Sequence, residues 1–570
     1  MAALSREREL AFRAVAVALP FLGFALVEAA LRLFLPAPAS DPYLNLTTPM
    51  SVFSEVVENG QKYYKVTHPQ AYNSRDVKFL QEKPPGTYRI FCLGESACAG
   101  WPHPPEEIWS EYLKQALEGA YPGRSIEVLN VSAHGFAAYR LRLIFNDLMH
   151  LSPDLVILWI GNNEFLERRT YFGSSKLRSF LFATGGKLRT VQLARGWLDR
   201  KLHPGNTLAG RTRGDTRFER FSKVSRLALD LRQDPAQFAA VKEHYAFCMD
   251  QMLVDAARRR VPVVAMTVPV NLRDWIPNVS VNGAVGEELE AFRASYASGM
   301  RALEAGDAPG AEASLGAAVE KDPAHAEAHF HLGQAFERLG CFSDAHAQYV
   351  MAKDLDANPF RAVSSLNDIV REHARRYPTA MLLDMEREME LACPTGAPGF
   401  DMFVDYVHPS KEGNLLIARK TFELIRDRCG LGTPASRDFA AAPSRYQEYR
   451  DAELQRTLLW LFGMMHQDES VIGKAASVLS IRPKSTVAIL TLRAITPYAS
   501  VRRQETLGET IDPATRQQVL DAYDRFYQEH YVEGDRPEDQ GEAPASAPSR
   551  VASVSVPDVP PPGAPARSRE

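Results

Sequence analysis

Two apolar runs in this chain stop on a glycine and pass at once into polar residues, and this pattern constrains the fold more than any other. Thr87 to Leu93 (TYRIFCL) leads into Gly94-Glu95-Ser96, and Leu155 to Ile160 (LVILWI) leads into Gly161-Asn162-Asn163-Glu164. Both runs are too short for ordinary helices and lack the alternation of a half-exposed strand. They read as strands buried on both faces, the mark of a parallel sheet in an α/β protein. Ile126 to Asn130, Val261 to Val268 and Ala380 to Asp384 are further runs of this kind. At 570 residues the chain exceeds one ordinary domain, and its 45% hydrophobic content suffices for a large core.

The polar residues at these strand ends carry a consistent chemistry. Gly94 permits a sharp turn, which leaves Ser96 just beyond a strand end, where open α/β sheets place their ligands. Taken alone, Ser96 is equally a helix-capping serine. Gly135 follows the Ile126–Asn130 run and can bring a backbone N–H close to a reacting carbonyl; otherwise it is a loop glycine. Asn163 supplies a side-chain amide able to donate to an oxyanion, and an Asx-turn is its plainer reading. Asp405 and His408 lie three residues apart, so both can reach one point. There the imidazole can take a proton from Ser96 while Asp405 fixes its tautomer. A capping aspartate and a surface histidine are the structural alternative. The surroundings offer no set of metal ligands with suitable spacing.

With these residues in this order, the chain resembles the SGNH (GDSL-type) hydrolases, a family of esterases, lipases and deacetylases. The family's four marker residues fall on Ser96, Gly135, Asn163 and His408, with Asp405 completing a triad. The resemblance covers roughly Tyr88 to Arg428, with large insertions. It implies a flavodoxin-like parallel five-stranded sheet with helices on both faces. It also implies an oxyanion hole formed by the Ser96 N–H, the Gly135 N–H and the Asn163 side chain, and it needs no metal or organic cofactor. The sequence departs from the family pattern at Glu95 and Glu164, each standing where an aspartate is usual.

Around this core the chain divides into segments. Residues 1–40 read as a membrane anchor: Ala14 to Val27 carries no charge, and Arg6, Arg8 and Arg13 precede it. The positive-inside rule then leaves the bulk of the chain extracytoplasmic. A cleaved signal peptide ending near Ala37-Pro38-Ala39 and a cytosolic helix are the rivals, since fourteen residues fall short of the roughly 20 that cross a bilayer. Residues 41–86 form a leader without strong periodicity. The hydrolase core follows over 87–290, with a basic helical insertion at 165–235 that holds sixteen Lys/Arg against six Asp/Glu. That insertion reads either as a cap attracting an anionic polymer or membrane, or as a solvated helical segment.

Residues 291–360 contain a repeat. Gly299, Ala311, Leu315 and Ala318 recur as Gly333, Ala345, Tyr349 and Ala352, each 34 residues later, which is the tetratricopeptide period. Strand order places this module between the fourth and fifth strands of the sheet. The core resumes over 361–430, 437–533 is helical by pattern, and 534–570 is a Pro/Ala/Ser-rich tail of disordered composition. A net charge of −4 implies no general affinity for nucleic acid. The six cysteines show no Cys-x-x-Cys pair.

The expectation is a membrane-anchored serine esterase acting on O-acyl groups, such as acetyl, of an envelope or exported polysaccharide, with the repeats able to hold a protein partner. A membrane-surface lipase or lysophospholipase and a scaffold with a vestigial hydrolase core are the alternatives.

Overall fold

The computed structural model describes residues 6–34, 53–67, 77–166, 188–190, 193, 232–441 and parts of 472–527. Most of the basic insertion, the apolar stretch Leu458 to Met465 and the 534–570 tail lie outside the described residues.

Strands β4 (Tyr88–Gly94), β5 (Ile126–Asn130), β6 (Leu155–Trp159), β7 (Val263–Met266) and β8 (Ala380–Leu383) form one sheet in the order β5-β4-β6-β7-β8. Every neighbouring pair is parallel. All residues of β4 and β6 are buried, which accounts for their unbroken apolar runs. Alternate residues of β4 feed two cores. Ile90 and Cys92 join Trp109 and Leu113 of α2 (Trp109–Ala120) and Ile417 of α11 (Lys411–Arg428) on one face. Phe91 and Leu93 meet Ile144 of α3 (Ala138–Leu148), Met252 of α4 (Pro235–Arg259) and Leu366 of α9 (Ser364–Arg376) on the other. Each fully buried side chain of this size is worth about 1.5–3 kcal/mol. The chain runs from β4 to β5 on one side and returns past β4 to β6 on the other. The sheet therefore has its topological switch point beyond the carboxyl ends of β4 and β6, where such sheets open a crevice.

The leader, read as aperiodic, folds into an antiparallel sheet of β1 (Phe53–Glu58), β2 (Gln61–Val66) and β3 (Lys78–Leu80). Asn59 and Gly60 turn the first hairpin with φ of 51° and 80°, the left-handed pair that two-residue hairpins require. This sheet docks through Phe79 on Phe91, with ring centroids 5.5 Å apart. It is also held by the fully buried Arg89, which donates to Leu80 O and Leu151 O at 3.0 Å each and pairs with Glu127 at 2.5 Å.

Between β7 and β8 the chain makes two helical hairpins, α5 (Gly286–Ala305) with α6 (Ala308–Lys321) and α7 (Ala326–Arg338) with α8 (Phe342–Leu355). The glycines lie where the helices cross. A Cβ on Gly299 would stand 2.5 Å from Leu315, and one on Gly333 would stand 2.8 Å from the Tyr349 ring. Equivalent crossings thus repeat at the spacing found in the sequence. Short helix α10 (Met385–Ala392) follows β8. Near the C-terminus, α12 (Pro513–Tyr527) closes the described structure, with Ile495 and Tyr523 buried in the main core.

The N-terminal segment is a single helix, α1 (Arg6–Phe34), of 29 residues with Pro20 inside it. Among the described residues, however, no helix is long and apolar enough to cross a membrane. The uncharged part of α1 ends at Glu28, which is buried. It accepts from Arg32 Nε at 2.8 Å and from the backbone N–H groups of Arg189 and Thr190 at 2.8 and 3.0 Å. These donors hold the Glu28 carboxyl down at about 2, although burial opposes them.

Candidate active site

Three side chains meet beyond the carboxyl end of β4. Ser96 Oγ lies 2.8 Å from His408 Nε2, and His408 Nδ1 lies 2.6 Å from Asp405 Oδ2. A carboxylate only accepts, so Nδ1 carries the proton and Nε2 is left with its lone pair toward the serine hydroxyl. Asp405 is fully buried and His408 nearly so, while Ser96 keeps partial access. The other carboxylate oxygen, Oδ1, accepts from the N–H groups of Val407 (2.9 Å) and His408 (2.8 Å). The Asp-x-x-His spacing therefore closes a tight turn in which the aspartate fixes both the backbone and the ring of the histidine.

The turn carrying Ser96 depends on Gly94. A Cβ there would come within 2.2 Å of Trp159 O and 2.5 Å of Cys98 Cβ. Gly94 pairs with Trp159 across the sheet, so Ser96 and the Gly161–Glu164 loop emerge side by side. Glu95 joins them. Its carboxylate accepts from the N–H groups of Gly161 (3.0 Å), Asn162 (2.8 Å) and Asn163 (3.1 Å). Burial, with the neighbouring Glu164, pushes the Glu95 carboxyl up to about 8 against the pull of these donors. Glu164 is itself buried and accepts from the Ala138 N–H at 2.7 Å, tying the same loop to the start of α3.

Gly135 sits on the loop before α3 with φ of 70°, a left-handed conformation that favours glycine. Asn163 Nδ2 donates to Phe136 O at 3.3 Å, which brings the amide beside the Gly135–Phe136 segment. One amide hydrogen is engaged there and the second remains for another acceptor. The five residues singled out in the sequence thus stand on loops that converge at the switch point.

Several residues that support the site were not legible as such. His103 Nε2 donates to Pro409 O at 2.7 Å, bracing the His408 loop from the Ser96 side; burial lowers its pKa. Asn414 on α11 donates to Pro409 O and Ser410 O at 3.2 and 2.9 Å, and accepts from the Trp109 N–H at 3.0 Å. Asn130 Nδ2 and Trp109 Nε1 both donate to Cys98 O, at 2.8 and 2.7 Å, and so fix the segment after Ser96. The half-buried Trp101 sets its ring 4.5 Å from that of His408, edge to face, and forms part of the wall of the site. Cys92 and Cys98, which flank the serine in sequence, are buried free thiols whose pKa values burial raises, so neither is an activated nucleophile. Among the described residues, no group of three or more His, Cys, Asp or Glu stands where it could hold a metal ion.

A doubly wound parallel sheet with a serine, histidine and aspartate in hydrogen-bonded series at its switch point is the arrangement that nucleophilic acyl transfer uses. No protein-family model and no curated protein sequence matches the chain. Among solved structures, the chain is similar to Axe2, an acetylxylan esterase from Geobacillus stearothermophilus. The two share 13% identity over 62% of this chain and 97% of that one, with a TM-score of 0.27. It is likewise similar to LAE5, an alpha/beta hydrolase enzyme from the metagenome of Lake Arreo, Spain, at 12% identity over 59% of this chain and 93% of that one, with a TM-score of 0.26. At such scores the chemistry of the site rests on its own atoms.

Proposed function

We propose that the chain is a serine esterase of the SGNH type that removes or transfers O-acyl groups on an envelope or exported polysaccharide. The observation that carries the reading is the unbroken series Ser96 Oγ, His408 Nε2, His408 Nδ1, Asp405 Oδ2, with links of 2.8 and 2.6 Å. In the reaction, Ser96 Oγ attacks the ester carbonyl while His408 Nε2 takes its proton. Asp405 stabilises the imidazolium that results. The Ser96 and Gly135 N–H groups and Asn163 Nδ2 receive the oxyanion of the tetrahedral intermediate. Collapse breaks the ester C–O bond, and His408 returns the proton to the departing alcohol. Water, or a second hydroxyl in a transferase, then attacks the acyl-enzyme by the same route in reverse. The two hairpins are read as a tetratricopeptide module, supported by the matched crossings at Gly299 and Gly333.

The test is fluorophosphonate labelling of the full chain, with hydrolysis of p-nitrophenyl esters measured beside it. Wild type should label, and Ser96→Ala should abolish labelling and lower kcat by about 10⁴-fold or more. His408→Ala should lower both comparably. A folded wild type that neither labels nor hydrolyses any ester removes the reading. A second reading, a lipase at a membrane surface, draws on the exposed apolar residues of α1, among them Phe21 and Leu22. It is favoured if long-chain esters are cleaved faster than the acetyl ester.

A further inference from the structure

At the neck of the hairpin insertion, two charged side chains lie out of contact with water. Asp356 follows α8, and Arg361 precedes α9; they are 1% and 2% exposed. Asp356 binds the two ends of the insertion together, accepting from the N–H groups of Asn278 (2.8 Å), Val279 (3.1 Å) and Asn358 (2.9 Å). Arg361 Nη2 stands 4.0 Å from Asp356 Oδ2, a Coulombic contact too long for a direct hydrogen bond. Its Nη1 points the other way, donating to Asn271 O at 2.6 Å and Trp275 O at 2.9 Å.

Asn271 reaches the catalytic turn. Its Nδ2 donates to Asp405 O at 3.0 Å, and its N–H donates to Tyr406 O at 3.0 Å. Trp275, held by the same guanidinium, packs on Tyr406 with ring centroids 5.2 Å apart. The residue after Arg361 touches the other side of the site, since the Ala362 N–H donates to Asn162 Oδ1 at 3.1 Å. One buried segment therefore contacts the neck of the hairpins, the loop that holds the acid, and the loop that holds Asn163.

Burying such a pair costs several kcal/mol per ion unless geometry repays it, and an apolar pair would fill the same space more cheaply. Burial pushes Arg361 down to about 10 and Asp356 up to about 6, in line with that cost. We infer that Arg361 is a positioning residue that ties the helical insertion, through Asn271, to the backbone of Asp405, so that the placement of the hairpins sets the geometry of the triad. The inference rests on the esterase reading above. It gives the insertion a role in the rate of acyl transfer, distinct from holding substrate.

The experiment compares wild type, Arg361→Met, Arg361→Lys, Asn271→Ser and the double variant R361M/N271S as full chains. Thermal melting checks folding, and p-nitrophenyl acetate kinetics and the rate of fluorophosphonate labelling are the readouts. Arg361→Met should lower kcat by about 10- to 100-fold, the scale of a small misplacement of reacting groups. KM should stay within about twofold, and labelling should slow by the same factor as kcat. Arg361→Lys should recover much of the loss, since an ammonium can still donate to Asn271 O. Asn271→Ser removes the Nδ2 link to Asp405 O, together with the Asp274 N–H bond to Asn271 Oδ1, while leaving the Asp356 contacts at the neck in place, and it should reproduce the fall in kcat even if Arg361→Met does not fold. The double variant should be no worse than the slower single, because both act along one path. A folded Arg361→Met or Asn271→Ser with kcat within twofold of wild type overturns the inference, as does a loss confined to KM or losses that multiply. A wild type that does not label fails at the earlier step and takes this inference with it.

Discussion

Glu95 is buried beside Glu164, yet both of its oxygens accept from backbone N–H groups of the loop that carries Asn163. Its folded-state pKa, raised from 4.5 to about 8, makes stability depend on pH with a definite sign. A carboxyl raised on folding contributes its full share while both states are protonated, and loses it as pH climbs through the folded value. Between about 4.5 and 8, then, Glu95 should make the wild type progressively less stable. Glu95→Gln removes that titration. The difference in melting temperature, wild type minus variant, should shrink steadily from pH 5 to pH 8.5; a difference that grows with pH contradicts the assignment. The variant should also lose activity by about 10-fold. A glutamine presents an oxygen to Gly161 and Asn163 but an NH2 to the Asn162 N–H, so the loop carrying Asn163 must shift. In the sequence this residue stood out only as an acid where an aspartate is usual. Its partners come from a loop more than sixty residues away, and nothing local announces them.

At the scale of elements, the parallel strands were legible because burial on both faces leaves an unbroken apolar run. Tyr88–Gly94, Ile126–Asn130, Leu155–Trp159, Val263–Met266 and Ala380–Leu383 all fall within the runs that mark them or one residue beyond. The leader strands were missed because Phe53–Glu58 and Gln61–Val66 are half-exposed and polar, and only Asn59-Gly60 betrays the hairpin. The Asp356–Arg361–Asn271 connection was invisible for another reason: its members are joined only after the insertion folds back on itself. The hairpins offer a test in which like substitutions separate by position. Gly299→Ala and Gly333→Ala place a methyl group against Leu315 and Tyr349, at 2.5 and 2.8 Å, and overpacking of this kind costs about 1–3 kcal/mol. Gly316 lies on α6 with nothing within 4 Å of a Cβ, so alanine there gains helix propensity of up to about 1 kcal/mol. Chemical denaturation should show the first two variants destabilised and Gly316→Ala stabilised. Equal effects at all three positions contradict close helix crossing at Gly299 and Gly333.

Across the whole molecule, two additions bear on the sheet and its site, the leader sheet on β4 through Phe79 and the hairpins on the catalytic turn through Arg361, while α1 meets Arg189 and Thr190 through Glu28. The last is the least like a core element. Leu19, Phe21, Leu22, Leu26 and Val27 are 52–73% exposed along one helix. Exposed apolar side chains on an uncharged stretch preceded by arginines make lipid the partner to test. The full chain should therefore sediment with vesicles of mixed zwitterionic and anionic lipid, and deletion of residues 1–34 should release it. The catalytic series draws on Ser96, Asp405 and His408, which lie beyond β4 and on the turn before α11. The truncated chain should thus keep kcat/KM for a soluble acetyl ester within about threefold. Vesicle binding that survives the deletion moves the lipid contact elsewhere in the chain. Binding lost together with esterase activity shows instead that Glu28, through Arg189 and Thr190, secures α1 as part of the folded body.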